Sequence, residues 1–538
     1  MKTYHHIIAL SLVSASLGLT ACSGPMDEIT SLILDRNFSP VGLEAKNVST
    51  STANLSWQPV SGATSYEVEV YPDDSLAFAT TPKTFTTEGV SLNLEGLTYD
   101  TKYSARVRAV DNSDASRNSK WTSIYFRSDA QQIMQSMALE DVGDKDVIIK
   151  WPKDSLINSA SILDKDGNVV LTQEVTAEEQ AAGRKKISGL TPETSYVAKI
   201  YNNGKERGSK KFTTIVDLSG ATIVRSTDDF SGMLEKATEG QVFALYNGTY
   251  MISSGSETPD KAGSAVIEHS VTIKGIYPTA KPTIQGTFKL QAGASLTLSN
   301  LVLDGTNNAA TDQFFDYKSA GDYKLLDVED CEIIGAGDQK GLLYGNTDQT
   351  IIDNVVFRNN KIHGIGCDGG DFFDVRKSYI KDITFVNNTV YNCANERDLF
   401  RYDDKANNYG NPVPVITVKN NIFYNVMNAT SGKRFLYVRF NGKKGGQQIT
   451  WANNLIVNTQ AVYTNQSTTS TPAYQNNYYF GCANANLFAA SDPENKVYWN
   501  GDTSGKNGAD PKFKDAAKGD FTVGNEDVSK LGVGVQKK

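Results

Sequence analysis

The sequence predicts an all-β chain in which residues 218–538 wind into a stacked β-solenoid, with two small β-sandwiches ahead of it. Three observations predict this: a recurring Asn-Asn pair, a tryptophan strand that occurs twice, and a Leu-to-Tyr spacing of six that also occurs twice. The pair stands in Phe357-Arg358-Asn359-Asn360, Phe385-Val386-Asn387-Asn388, Val418-Lys419-Asn420-Asn421, Trp451-Ala452-Asn453-Asn454 and Tyr474-Gln475-Asn476-Asn477. Its intervals are 28, 33, 33 and 23 residues, about one solenoid turn each. Alternating apolar segments flank each pair, so it marks a bend between two strands. Asn tolerates the left-handed backbone of such a bend, and rungs about 4.8 Å apart let its amides bond along a column.

Residues 1–22 form a targeting segment. Lys2 gives a positive start, and the apolar run Ile7 to Leu19 is too short to span a bilayer. The run closes in Leu19-Thr20-Ala21-Cys22, which resembles the lipobox of bacterial lipoproteins. The resemblance implies cleavage before Cys22, acylation of its thiol and a lipid anchor in the outer membrane. Asp27 and Glu28, in a linker over 23–37, resemble the export signal of surface lipoproteins in Bacteroidetes-type glycan-uptake systems. That implies a position facing the cell surface, beside glycan-uptake partner proteins.

Four further cysteines, Cys331, Cys367, Cys393 and Cys482, all fall within the solenoid. Four in so long a chain make no disulfide framework, and they are expected as inward-facing thiols. The net charge of −8 argues against a nucleic-acid binder. Yet Arg376 to Lys444 holds twelve Lys or Arg against five Asp or Glu, a basic island in an acidic chain. Such an island suits a polyanion met locally, or else a solvated face.

Between 38 and 130, Asn54-Leu55-Ser56-Trp57 places a tryptophan in a core strand, and Tyr66-Glu67-Val68-Glu69-Val70 alternates with period two. Gly96-Leu97-Thr98-Tyr99 through Tyr103 then resembles the tyrosine corner of a fibronectin type III module. Residues 131–217 resemble a second copy, with Ile148-Ile149-Lys150-Trp151 as the tryptophan strand and Leu190 to Tyr196 as the corner. Tandem sandwiches beside a lipid anchor are expected to act as spacers.

The solenoid opens with a helical cap. Thr227-Asp228-Asp229-Phe230 has N-cap chemistry, and Phe230, Met233, Leu234 and Ala237 fall at helical spacing. About eight coils follow. Segments such as Val271-Thr272-Ile273-Lys274-Gly275, and the closing Asp510-Pro511-Lys512-Phe513 with Gly519-Asp520-Phe521, resemble right-handed parallel β-helices of the pectate-lyase-like superfamily. The resemblance implies a carbohydrate ligand, and a long face suits an extended polymer.

A second column starts on paired apolar residues. It runs Phe314-Phe315-Asp316-Tyr317-Lys318, Leu342-Leu343-Tyr344-Gly345-Asn346, Phe372-Phe373-Asp374-Val375-Arg376, Leu399-Phe400-Arg401-Tyr402-Asp403 and Phe435-Leu436-Tyr437-Val438-Arg439. The third and fifth residues of each should face solvent, in two outward files. Asp374, Arg376, Arg401, Asp403, Tyr437 and Arg439 are thereby the candidate substrate-binding set. Arg can clamp a uronate through two hydrogen bonds, and Tyr can carry a sugar ring. Asp368, Asp371 and Asp374 could hold Ca²⁺, although Asp and Gly at this spacing also simply make turns. In pectate-lyase-like enzymes an Arg or Lys removes a proton from the uronate ring, which makes Arg401 and Arg376 the candidate catalytic bases. The competing expectation is structural: Asp374 over Arg401 and Arg376 over Asp403 neutralise one another.

Only His269 and His363 remain beyond the targeting segment, which excludes a multi-His zinc site. His363-Gly364 precedes Asp403-Asp404, the reverse of the order in polygalacturonase-type hydrolases. The leading expectation is a cell-surface lipoprotein whose β-helix binds polysaccharide, an acidic pectin-like glycan by resemblance. The alternatives are a divergent polysaccharide lyase acting by β-elimination, and an adhesin or scaffold that meets protein.

Overall fold

The computed structural model describes residues 35–536 apart from 256, 430, 431 and 444. The targeting segment, Cys22, Asp27 and Glu28 lie outside the described residues. Strands dominate throughout, as the alternation predicts. Among the described residues no helix is long and apolar enough to cross a membrane.

The first sandwich packs Glu44–Lys46, Ala53–Ser56 and Ser91–Leu94 against a four-stranded sheet of Lys83–Thr87, Ser65–Pro72, Lys102–Val110 and Thr122–Arg127. The second repeats that plan. Arg184–Ser188 pairs with Asp146–Lys150, facing Val169–Glu174, Ser159–Leu163, Ser195–Asn202 and Lys205–Thr213. Trp57 and Trp151 sit in the two cores. The tyrosine corner is present in both: Tyr103 Oη accepts from the Thr98 amide at 2.8 Å, and Tyr196 Oη from the Thr191 amide at 3.2 Å. The sandwiches touch through Lys205 Nζ, 2.8 Å from Asp73 Oδ1, and the Glu206 amide, which donates to Asp100 Oδ2 at 2.7 Å. Ile215 then joins Ala244, Ile276 and Tyr277 in an apolar cluster at the entry to the solenoid.

Three parallel sheets of ten, nine and seven strands form the faces of the solenoid. Its first full coil uses Gln241–Leu245, Thr249–Met251 and Ser264–Ile267, and its seventh uses Val415–Lys419, Ile422–Tyr424 and Leu436–Val438. Two further coils add strands only to the first and second faces, so complete coils number seven, slightly fewer than expected. Each short strand of the second face turns its middle residue inward, and each three-residue strand of the third face its two flanking residues. Ile362, Val390, Phe423 and Ile456 thus stack in one file on the second face, and Phe373 on Phe400 at 4.7 Å on the third. Each such apolar side chain contributes about 1.5–3 kcal/mol by burial. The interior is therefore packed, and any ligand must meet the outside.

The Asn pairs sit at the bend between the first and second faces. The first Asn of each pair takes the left-handed backbone, with φ of 58°, 58°, 56°, 55° and 48° at Asn359, Asn387, Asn420, Asn453 and Asn476. Asn300 and Asp330 hold the same place on two earlier rungs. The second Asn turns inward and builds a one-way amide ladder. Asn360 Nδ2 donates to Asn388 Oδ1 at 3.0 Å, Asn388 to Asn421 at 3.2 Å, Asn421 to Asn454 at 3.0 Å and Asn454 to Asn477 at 3.1 Å. The last amide needs an acceptor, and the buried Asp502 supplies Oδ2 at 3.3 Å.

A helix over Phe230–Glu235 closes the first coil, with Asp229 accepting from the Gly232 amide at 2.9 Å. The C-terminal segment departs from its expected role as an end closure. Its hairpin, Phe513–Asp515 with Asp520–Val523, and the residues to Gln536 fold back along the second face. There the outward residues turn apolar (Tyr391, Ile422, Leu455, Val457), and Phe521, Val528 and Val533 cover them. Cys331, Cys367, Cys393 and Cys482 are all buried and unpaired, as expected of inward-facing thiols.

Candidate functional site

The charged file lies on the third face and is in register. Asp316 pairs with Tyr344, Tyr344 with Asp374, Asp374 with Arg401, and Arg401 with Tyr437. One rung earlier, Lys289 stands opposite Asp316. The companion file keeps step through backbone bonds just past each strand. The amide of Arg376 donates to Gly345 O at 2.8 Å, that of Asp403 to Val375 O at 2.9 Å and that of Arg439 to Tyr402 O at 2.7 Å.

The expectation that both files lie open to solvent fails at the carboxylates. Asp374 has no exposed surface, and Asp316 and Asp403 are buried. Groups outside the strands contribute, since the Asp371 amide reaches Asp374 Oδ2 at 3.4 Å, and the residues before three of the apolar pairs make a third file. Asp371 Oδ1 accepts from the Asp398 amide at 3.0 Å, and Asp398 Oδ1 from the Arg434 amide at 2.9 Å. Arg434 also clamps Asp398 through Nε at 2.9 Å and Nη2 at 2.6 Å.

The ion pairs form both within coils and between them. Arg376 grips Asp374 through Nε at 2.8 Å and Nη2 at 2.9 Å. Arg401 donates Nε and Nη2 to Asp403 Oδ2 at 3.1 and 2.8 Å, and Nη1 to Asp371 Oδ2 at 3.3 Å. Arg439 Nη2 reaches the other oxygen of Asp403 at 2.7 Å. The stacked pair Asp374–Arg401 is looser, at 3.9 Å. The competing structural expectation was therefore right about neutralisation and wrong about the main partners.

Two tyrosines interrupt the charges. The Tyr437 ring sits beneath three guanidinium groups, with Arg434, Arg439 and Arg401 at 4.1, 4.7 and 5.5 Å from its centre. Three rungs away, Tyr344 accepts a hydrogen bond from Asn346 Nδ2 at 2.8 Å. Toward the N-terminal end, Lys318 meets Asp316 at 3.2 Å and Lys340 meets Asp312 at 3.0 Å.

This geometry does not favour either of the two chemical roles drawn from sequence. Arg376 and Arg401 do not suit proton abstraction. The hydrogen bond to Asp374 raises the pKa of Arg376. Burial alone would lower that of Arg401, but Asp403, Asp371 and Asp374 outweigh it and push it up. Both groups thus hold their protons more firmly, and the neutral guanidine that could take up a proton becomes less available. Asp368, Asp371 and Asp374 do not converge on a cation either. Asp368 stands exposed in a turn while Asp371 and Asp374 are spent on arginines, and among the described residues no cluster of three acidic, His or Cys groups could hold a metal. Burial raises the pKa of Asp371, as do the nearby charges of Asp398 and Asp374. For Asp403 burial acts in the same sense, yet the bonds from Arg401 and Arg439 prevail and lower it.

Sequence reasoning missed Lys289, Asp312, Lys340, Asp398 and Arg434. The signal for Asp398 and Arg434 was available, since each directly precedes an apolar pair, as Asp371 does.

Comparison with known proteins finds separate matches in the first sandwich and in two stretches of the solenoid. Residues 38–124 match the fibronectin type III domain, and the first sandwich is one. Within the solenoid, residues 248–393 match a domain of unknown function, DUF4957, and residues 416–534 match another, DUF5123. Among curated proteins, tenascin of Gallus gallus is 25% identical over 230 residues, which is 42% of this chain and 12% of tenascin. The chain thus spans about an eighth of that relative's length. Among solved structures, a two-domain fibronectin type III segment of chicken tenascin shows 20% identity, covering 33% of this chain and 99% of its own, with a TM-score of 0.24. The fn3 domain of human collagen alpha-1(XX) shows 23% identity, over 22% of this chain and all of its own, with a TM-score of 0.16. The charged strip straddles both solenoid families. Asp374 and Arg376 fall in the first, Tyr437 and Arg439 in the second, and Arg401 and Asp403 between them.

Proposed function

We propose that this protein is a non-catalytic polysaccharide-binding protein of the cell surface, and that the third face of the solenoid is its binding face. The observation that carries this reading is the Tyr437 ring flanked by arginines in one file with Tyr344, three rungs away. A sugar ring stacks on an aromatic face, and neighbouring planar donors fix its hydroxyl groups. Such a file matches a polymer, because both repeat along a line. The two sandwiches, docked to one another and to the first coil, then hold the face away from the membrane, with Cys22 as the lipid anchor.

Cleavage of the bound chain is not part of the proposal, since the candidate bases Arg376 and Arg401 are locked to carboxylates. The test uses the full chain. Retention on immobilised polysaccharide is measured together with ultraviolet absorbance from unsaturated uronides. Retention without new absorbance is expected. Rising absorbance would make it a lyase. An absence of retention across acidic and neutral polysaccharides would leave the adhesin or scaffold reading.

A further inference from the structure

We infer that the strip takes an uncharged, hydroxyl-rich glycan and not a uronate polymer. This rests on the polysaccharide-binding reading above and names the ligand class of the same face. In sequence the island from Arg376 to Lys444 is strongly basic, which favours a polyanion. In three dimensions the four arginines that the strip presents are already paired.

Four arginines and four aspartates face one another there, and each carboxylate is held by at least one guanidinium. Asp374 is gripped by Arg376, Asp398 by Arg434, Asp371 by Arg401, and Asp403 by both Arg401 and Arg439. Those aspartate side chains are about nine-tenths or more buried, while the arginine side chains keep between about a fifth and a third of their surface. A uronate seeking two parallel bonds from Arg376 would have to pull it from Asp374. That exchange leaves a fully buried carboxylate without its partner, and such a loss outweighs one more surface ion pair.

A hydroxyl-rich ligand needs no such exchange. A paired guanidinium still offers its outward N–H groups to hydroxyl and ring oxygens. Arg434 and Arg439 keep about a fifth and a third of their side-chain surface beside Tyr437, so outward N–H groups can be met from solvent. The two rings, Tyr344 and Tyr437, stand three rungs apart, about 14 Å along the solenoid. One sugar cannot touch both. The ligand that uses the whole strip is therefore an oligomer, stacked near each end and hydrogen-bonded between.

The experiment titrates the full chain by calorimetry against neutral hexasaccharides (β-linked glucose, mannose and xylose series) and against hexagalacturonate. Each titration is run at about 0.05 M and about 0.5 M NaCl, a range over which exposed charge interactions are strongly screened. At least one neutral series should bind, with affinity changing less than about twofold between the two salts. Tyr437→Ala should weaken that binding about tenfold, with Tyr344→Ala as a second variant if the first folds poorly. Binding confined to hexagalacturonate, and lost at high salt, overturns the ligand class but leaves polysaccharide binding standing. Binding to none of the sugars overturns both.

Discussion

Two files run the length of one solenoid and use polar residues in opposite ways. The amide ladder from Asn360 to Asn477 repeats one residue type, is buried, and ends on a single buried carboxylate. The strip on the third face changes residue type at every rung and is half-exposed. Repetition of one side chain is what a stacked bend requires, because each rung must satisfy the next. A face that only had to stay soluble would need no tyrosine beneath three arginines. The difference separates a polar file that holds the coils together from one that is free to meet a ligand.

The largest effects should come from the buried ladder. Asn421 accepts from the Asn388 amide at 2.8 Å and donates to Phe385 O at 2.9 Å, besides its two ladder bonds. Asn421→Ala should cost about 4 kcal/mol, since several buried partners lose their bonds together. Asn420→Ala removes only a residue suited to left-handed backbone and should cost about 1 kcal/mol. Urea midpoints measure both. Equal losses would erase the distinction between the two members of the pair.

On the strip, the expected effects are smaller and asymmetric. Arg376→Ala strands Asp374, which has no exposed surface, and should cost about 3 kcal/mol. Asp374→Ala strands a half-exposed guanidinium that water can solvate, and should cost about 1–2 kcal/mol. Thermal unfolding of the two variants decides the order. If the Asp374 change is the worse of the two, the carboxylates are not what the arginines protect.

The contrast also shows what was legible in the sequence. The Asn pairs and apolar pairs fix the rung register, because one side-chain period and one bend type recur. From them the order Asp316, Tyr344, Asp374, Arg401, Tyr437 follows directly. Burial of Asp374 was not legible, since it depends on contacts from outside its strand, among them the Asp371 amide and the Arg376 guanidinium. The strap over the second face was hidden for another reason. Phe513 and Phe521 alternate like one more coil, and only the outward apolar residues Tyr391 and Ile422 reveal that something must cover them. The Phe521 ring packs at a tilt against Tyr391 and Tyr424, with centres 5.0 and 5.2 Å away. Phe521→Ala should therefore weaken the strap by roughly 2–3 kcal/mol, at the low end for a core phenylalanine because the site lies near the surface. Faster proteolysis within residues 511–536, with the solenoid intact, is the expected readout. Simultaneous loss of the solenoid would show that the strap is part of its core.

The smallest effect is a pH dependence on the second face, above the strap. Glu332 lies 3.0 Å from His363 Nε2 and 3.1 Å from Lys361 Nζ. The hydrogen bond from His363 chiefly, with Lys361 helping against the opposing effect of burial, lowers its pKa from 4.5 to about 2. A depressed carboxylate stabilises the fold above its unfolded pKa, near 4.5, and that contribution drains away as pH falls toward 2. The side chain is nearly a third exposed, so screening limits the contribution to about 1 kcal/mol or less. Glu332→Gln should thus lower the unfolding temperature slightly at neutral pH and flatten its decline between pH 4.5 and 2. An unchanged acid limb would mean that this pair is as solvated as any surface contact. In that case the polar upper half of the second face would differ from the strip in more than exposure: its charges would meet without holding anything in place.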